Sequence, residues 1–176
     1  QTIERTVWSF DELSDEAKER ARNWYREGQL DYDWWDGIYQ DADNIAEILG
    51  IAIDRKRRNN LNASADPAIW FSGFYSQGDG ACFEGSYSYA KGAAKKIRDH
   101  APTDTELHRI ADCLQTIQRQ AGYGLTASTQ HRGHYYYSGC MSVTVDHARE
   151  RNTALWDASL TQLLRDFADW IYRQLE

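Results

Sequence analysis

The chain has 176 residues, 41% of them hydrophobic and 13% aromatic, which suits one domain with a substantial core and excludes a disordered chain. Its formal net charge is −7, which disfavours direct binding to nucleic acid. No apolar run approaches the roughly 20 residues that span a bilayer, and Gln1 to Phe10 lacks the basic and apolar regions of a signal peptide.

Periodicity predicts a first helix over about Asp11–Glu27. Ser9 and Glu12 form a capping box at its start, Leu13, Ala17, Ala21 and Trp24 make an apolar stripe, and Gly28 is the expected stop. A second helix is expected over about Asp33–Leu49, with Trp34, Trp35, Ile38, Ala42, Ile45, Ala46 and Leu49 on its apolar side and Gly50 as its end. Ile51–Asp54 reads as a short strand. The basic and Asn-rich stretch Arg55–Asp66 reads as a mobile hairpin tip or insertion. Ile69–Ser76 and Cys82–Tyr89 read as two strands joined by the glycine-rich turn Gln77–Ala81. Lys91–His100 is expected as a helix. Another follows from Thr103 to Gly122, with Thr103 and Glu106 as a second capping box. Tyr123–Arg132 and His134–Asp146 alternate with period two and predict a hairpin turning at Gly133. Thr153–Leu175 completes the chain as a long amphipathic helix. The predicted order is ααβββααββα. It implies an α+β fold in a single domain over residues 1–176, with an antiparallel sheet of four or five strands and helices on one face.

The three cysteines, Cys82, Cys113 and Cys140, are widely spaced and form no CxxC pair. Free thiols in a cytoplasmic protein are the expectation. Charge is unevenly distributed. Residues 1–54 carry 14 acids and 5 bases, whereas residues 55–176 carry 13 acids and 15 bases. Asp31, Asp33, Asp36, Asp41, Asp43 and Glu47 lie between Gly28 and Gly50 with no Lys or Arg among them. Such a segment favours a basic protein surface.

Two groups of residues are candidates for function. The first is the acidic helical face, with Asp31, Asp33, Asp36, Asp41 and Asp43 supplying charge and Trp34 or Trp35 supplying an aromatic anchor, since Trp is over-represented at binding hot spots. The second is the hairpin pair. Trp70–Tyr89 interleaves aromatics with Gly and Ser around Asp79 and Glu84, while His131 and His134 flank a turn near Cys140. Converging on one pocket, Asp79, Glu84, His131, His134 and Cys140 would make a small-ligand, metal or enzyme site. No metalloprotease HExxH, Walker loop, dinucleotide fingerprint or nucleophile elbow accompanies them. Cys82 and Cys140 alternate with aromatics in predicted strands, the usual place for a buried, inert thiol. The run Arg55–Arg58 reads as a solvated loop.

The segments Phe10–Glu27 (FDELSDEAKERARNWYRE), Asp31–Ala42 (DYDWWDGIYQDA), Trp70–Tyr89 (WFSGFYSQGDGACFEGSYSY), Asp104–Ala111 (DTELHRIA) and His131–Val143 (HRGHYYYSGCMSV) resemble a family of small, mostly uncharacterised proteins of tailed phages and prophages. Some of its members are labelled antitoxins of toxin–antitoxin systems. The resemblance implies a bacterial cytosol and a phage–host conflict, and supplies no catalytic residue. Small acidic phage proteins in that setting often work by stoichiometric binding, some of them by occupying the basic nucleic-acid channels of CRISPR complexes or restriction enzymes. The leading expectation is therefore a non-enzymatic binding protein that inhibits or neutralises a bacterial host protein, a nucleic-acid-binding defence complex or a toxin, through its acidic helices. No metal or cofactor is assigned on that reading, and a homodimer is left open. The alternative is the enzyme, small-ligand or metal site on the hairpins.

Overall fold

A computed structural model describes residues 9–30, 33–56, 66–149 and 152–176. The chain divides into two compact units, Gln1–Trp34 and Trp35–Glu176. In the first, the Glu12 carboxylate accepts the Ser9 N–H at 2.9 Å and the Ser9 hydroxyl at 2.8 Å. This box caps only a short 3-10 turn, Phe10–Glu12. Helix α1 (Asp15–Leu30) starts afresh after Ser14, whose Oγ accepts the Ala17 N–H at 3.3 Å. α1 then runs through Gly28, which the sequence marks as its end. A glycine costs a helix only about 1 kcal/mol relative to alanine, so it does not by itself terminate one.

The second unit opens with α2 (Asp36–Leu49), closed by Gly50 in the left-handed conformation at φ 88°. Strands β1 (Ile51–Ile53), β2 (Ile69–Ser72), β3 (Gly80–Phe83) and β4 (Gly85–Ser88) follow, then α3 (Ala93–His100), α4 (Thr105–Gln120), β5 (Leu125–His131), β6 (Met141–His147) and α5 (Asp157–Leu175). Among the described residues, the strands form a four-stranded antiparallel sheet in the order β1-β4-β5-β6 and a two-stranded sheet of β2 and β3. The α+β class and the antiparallel sheet agree with the sequence reading.

Among the described residues there is one more strand than the sequence order predicts, because Cys82–Tyr89 is two strands. The chain turns a corner at Glu84. Residues before it pair with β2, and residues after it pair with β1 and β5. The corner is pinned by three backbone bonds: Glu84 N–H to Ala68 O (3.0 Å), Asp54 N–H to Glu84 O (2.9 Å) and Ala68 N–H to Asp54 O (2.7 Å). Past β1, an Arg55–Pro67 bridge and a 2.8 Å bond from Lys56 N–H to Asp66 O continue this antiparallel pairing. Residues 57–65, the centre of the expected mobile loop, lie outside the described residues.

Within this unit α2, α3, α4 and α5 pack on one face. α2 covers β1, α5 covers β3 and β6, and α4 bridges α3 and α5. Ile45, Leu49, Ile51, Phe83, Ile97, Ile110, Leu125, Met141, Leu160 and Phe167 are buried between these layers. Burial of such side chains is the main stabilising term. On the other face, Ala52, Ser86, Ser128 and Thr144 lie side by side across the four strands and are exposed. α4 is capped by Asp104 and not by the expected Thr103. Its Oδ1 accepts the Leu107 N–H at 2.9 Å, and its Oδ2 takes the Trp170 indole N–H of α5 at 2.8 Å.

Candidate functional site

α2 presents the acidic face. Tyr39, Ala42, Ile45, Ala46 and Leu49 point into the core, so Asp36, Gln40, Asp43 and Glu47, spaced four, three and four residues apart, share the outer side. Asp36, Gln40 and Glu47 are exposed. Asp43 is more enclosed and accepts Arg55 Nη2 at 2.7 Å. Asp41 is exposed on a different side of the helix, where its Oδ1 lies 3.5 Å from His100 Nε2. Asp33 and Trp34 belong to the first unit and are exposed, Trp34 by 41%. Trp35 is half-buried, with its ring edge-on to Phe71 at 5.6 Å. Asp31 lies outside the described residues. Of the expected aspartates, Asp36 and Asp43 therefore share one stripe, which Glu47 extends.

Beside this stripe runs a groove of three cavities that share Arg55. One of about 410 Å³ is lined by Asp43, Glu47 and the β1 edge, Ile51–Ile53. A second of about 320 Å³ lies among Asp36, Tyr39, Gln40, Asp43 and Asp66. A third of about 690 Å³ is bounded by Asp54, Lys56, Trp70 and Glu84. The basic run read as a solvated loop is thus used structurally at its start. Arg55 pairs with Asp43, and Lys56 Nζ sits 5.1 Å from the Tyr39 ring centroid and 5.2 Å from that of Trp70.

The second candidate group is only partly assembled. Asp79 is spent on its own loop, where Oδ2 accepts the N–H groups of Tyr75 at 2.9 Å and Ser76 at 2.6 Å. Glu84 Oε1 accepts the His131 N–H at 3.1 Å. The His131 imidazole meets the Tyr135 carbonyl at 2.9 Å and lies tilted by 35° against the rings of both Trp70 and Tyr136. His134 packs edge-on to Tyr135. Tyr135–Tyr137, expected within a strand, belongs to a loop. β5 and β6 pair only as far as His131 and Met141, and a bond from Arg132 N–H to Cys140 O at 2.9 Å closes the segment between them. Tyr136 folds back over Trp70 there, with rings 12° from parallel. The loop lies so close to Gly80 that a Cβ at that glycine would be 2.6 Å from the Tyr137 Cβ. That contact, which outweighs the sequence alternation, brings the two hairpin tips together. Among the described residues, no three His, Cys, Asp or Glu side chains gather as a metal site.

Residues 34–176 match the family described as domain of unknown function DUF8835. The chain belongs to the DUF8835 family. No curated protein and no solved structure matches it. The DUF8835 region opens beside the boundary of the second compact unit, so it contains the α2 stripe, the groove and both hairpin tips.

Two buried polar groups of the DUF8835 region escape sequence reasoning. The Gln118 amide donates to Leu125 O at 2.8 Å and to Tyr87 Oη at 3.2 Å, and its oxygen accepts the Leu125 N–H at 3.2 Å. It thereby ties α4 to β5. His147 meets Ala121 O through Nε2 at 2.9 Å and accepts the Arg149 N–H on Nδ1 at 3.0 Å, so its Nε2 carries the proton. Both are fully used in holding elements together. Neither is free for chemistry. No helix among the described residues is long and apolar enough to cross a membrane.

Proposed function

We propose that this chain is a phage- or prophage-encoded, non-enzymatic binding protein that acts in the bacterial cytoplasm, where it inhibits or neutralises a host protein as an anti-defence protein or an antitoxin. The observation that carries the reading is the α2 stripe. Asp36 and Glu47 are exposed on one rigid helix whose other side is locked into the core, and Asp43 stands between them. Rigid, unidirectional charge of this kind steers association with a basic surface and fixes register more than it adds raw affinity. Nucleic-acid channels of defence complexes and basic toxins carry such surfaces. The phage context rests on the sequence resemblance alone.

The small-ligand or enzyme reading has less support. Asp79 is consumed by backbone amides of its own turn, while Glu84 and His131 are bonded to the hairpin backbone.

The test compares wild type with D36K/E47K as baits in host lysate, with bound proteins identified by mass spectrometry. The wild type is expected to retain a basic partner that weakens with added salt, and the variant to lose it by at least about tenfold. Equal retention by a variant with an unchanged melting curve would remove the acidic face from the account. Restored phage plating on a CRISPR-proficient host, against rescue of cells from an expressed toxin, separates the two roles.

A further inference from the structure

We propose that Tyr39 and Trp70 form an aromatic cage for a lysine ammonium, that Lys56 fills it as an intramolecular stand-in, and that a lysine-bearing segment of the partner takes its place on binding. The inference deepens the acidic-face reading and rests on it.

One ammonium lies about equally far from two ring centroids, 5.1 Å from Tyr39 and 5.2 Å from Trp70. Both distances fall inside the range in which a ring quadrupole attracts a cation. The rings come from elements distant in sequence, α2 and β2, and both are held from behind. Tyr39 is 4% exposed and meets Phe71 edge-on at 6.4 Å. Trp70 is paired in register with Cys82 of β3 and lies nearly parallel to Tyr136. The cage walls therefore stay in place whatever occupies them. The occupant reaches the cage on a long side chain: the Lys56 N–H bonds the Asp66 carbonyl at 2.8 Å, and its ammonium is carried into the cage on a four-carbon stem.

The surroundings select charge. Asp36 and Asp66 line the cavity on the Tyr39 side, and Asp54 and Glu84 line the larger one on the Trp70 side. Acids around two aromatic faces favour a compact cation over an apolar side chain, which would gain nothing from the carboxylates. The cavity of about 690 Å³ beside Trp70 and Lys56 gives an entering lysine a route and gives Lys56 space to leave. Exchange conserves the cage's charge balance, so a partner lysine meets a preorganised site at the cost of displacing one side chain.

The probe is a fluorescein-labelled octapeptide of alternating Lys and Gly, titrated by anisotropy at low salt. Lys56→Gln is expected to bind it about tenfold more tightly than wild type, because the internal competitor is gone. Adding Trp70→Leu or Tyr39→Leu to Lys56→Gln is expected to abolish the gain, with thermal melts confirming that each variant folds. A norleucine version of the peptide is expected not to bind. The cage is overturned if Lys56→Gln brings no gain, or if neither ring substitution reduces it. Charge reversal at Glu47, which belongs to the stripe but lines neither cavity of the cage, in the Lys56→Gln background separates the two readings. If reversal abolishes binding while the ring variants are silent, the acidic face stands and the cage falls. If the ring variants act and reversal is silent, the cage stands without the α2 stripe.

Discussion

Cys82 and Tyr87 show what burial does to single side chains in this molecule. Burial pushes the Cys82 thiol up to about 12, and it pushes the Tyr87 phenol up to about 12 despite a hydrogen bond from Gln118 that acts the other way. Both groups stay neutral in the fold longer than in the unfolded chain, where they ionise near roughly 8.5 and 10. The stability they contribute is therefore complete below about pH 8.5 and is lost as pH rises through the folded values. Urea midpoints are expected to hold to about pH 9 and then fall, with the fall reduced in Tyr87→Phe. The burial of Cys82 was legible from its place in a predicted strand among aromatics. The use of Asp79 was not. Its residue type advertises a ligand carboxylate as readily as a turn, and only the folded loop shows its oxygen on the amides of Tyr75 and Ser76. Lys56 was likewise hidden, because a cation over two rings needs partners from two distant elements.

At the scale of elements, Asp104 does two jobs with two oxygens. It caps α4, and it fixes α5 through the Trp170 indole. Asp104→Ala is expected to cost about 1–2 kcal/mol for the lost cap, with a further loss of about 1 kcal/mol for the unpaired indole, read from denaturant midpoints. Thr103→Ala is the matched control and is expected to be near neutral. The helices were legible because apolar periodicity survives any tertiary arrangement, and Gly50 ends α2 where the sequence marks it. Their caps were less so, since Ser9, Ser14, Thr103 and Asp104 all suit the position by type. The β5–β6 alternation held for the paired residues from Leu125 to His131 and from Met141 to His147. It failed over Tyr135–Tyr137, where stacking on Trp70 replaces pairing. The corner at Glu84 was missed because Cys82–Tyr89 reads as one continuous strand, whereas β3 is buried at every residue and alternation begins only in β4.

For the molecule as a whole, the family match and the compact second unit begin within one residue of each other, at 34 and 35. A chain starting at Trp34 is expected to fold with a melting temperature within a few degrees of full length, as measured by circular dichroism, because every core side chain described belongs to that unit. Unfolding of the shortened chain at room temperature would show that the first unit is required. The strong charge asymmetry of the sequence survives in the fold in a reduced form. Asp43 is paired with Arg55 and Asp41 lies near His100, which leaves Asp36 and Glu47 as the exposed acids of the stripe. Sequence alone counted carboxylates. It could not show which of them the protein keeps for itself.

The corner at Glu84 also bears on the order in which the chain assembles. β5 and β6 are neighbours in sequence and close as a local hairpin, whereas β1 must find β4 across the whole of β2 and β3. A Cβ at Gly85 would sit 2.2 Å from the Ala52 carbonyl oxygen, so that meeting tolerates no side chain at its first rung. Long-range pairing of this kind sets the folding barrier. Neither sheet closes fully without the other, because one uninterrupted stretch of backbone serves both. The groove is built on β1, Trp70 and Glu84, so it is complete only once both sheets have paired, and pulsed hydrogen exchange is expected to protect the β5–β6 amides before those of β1.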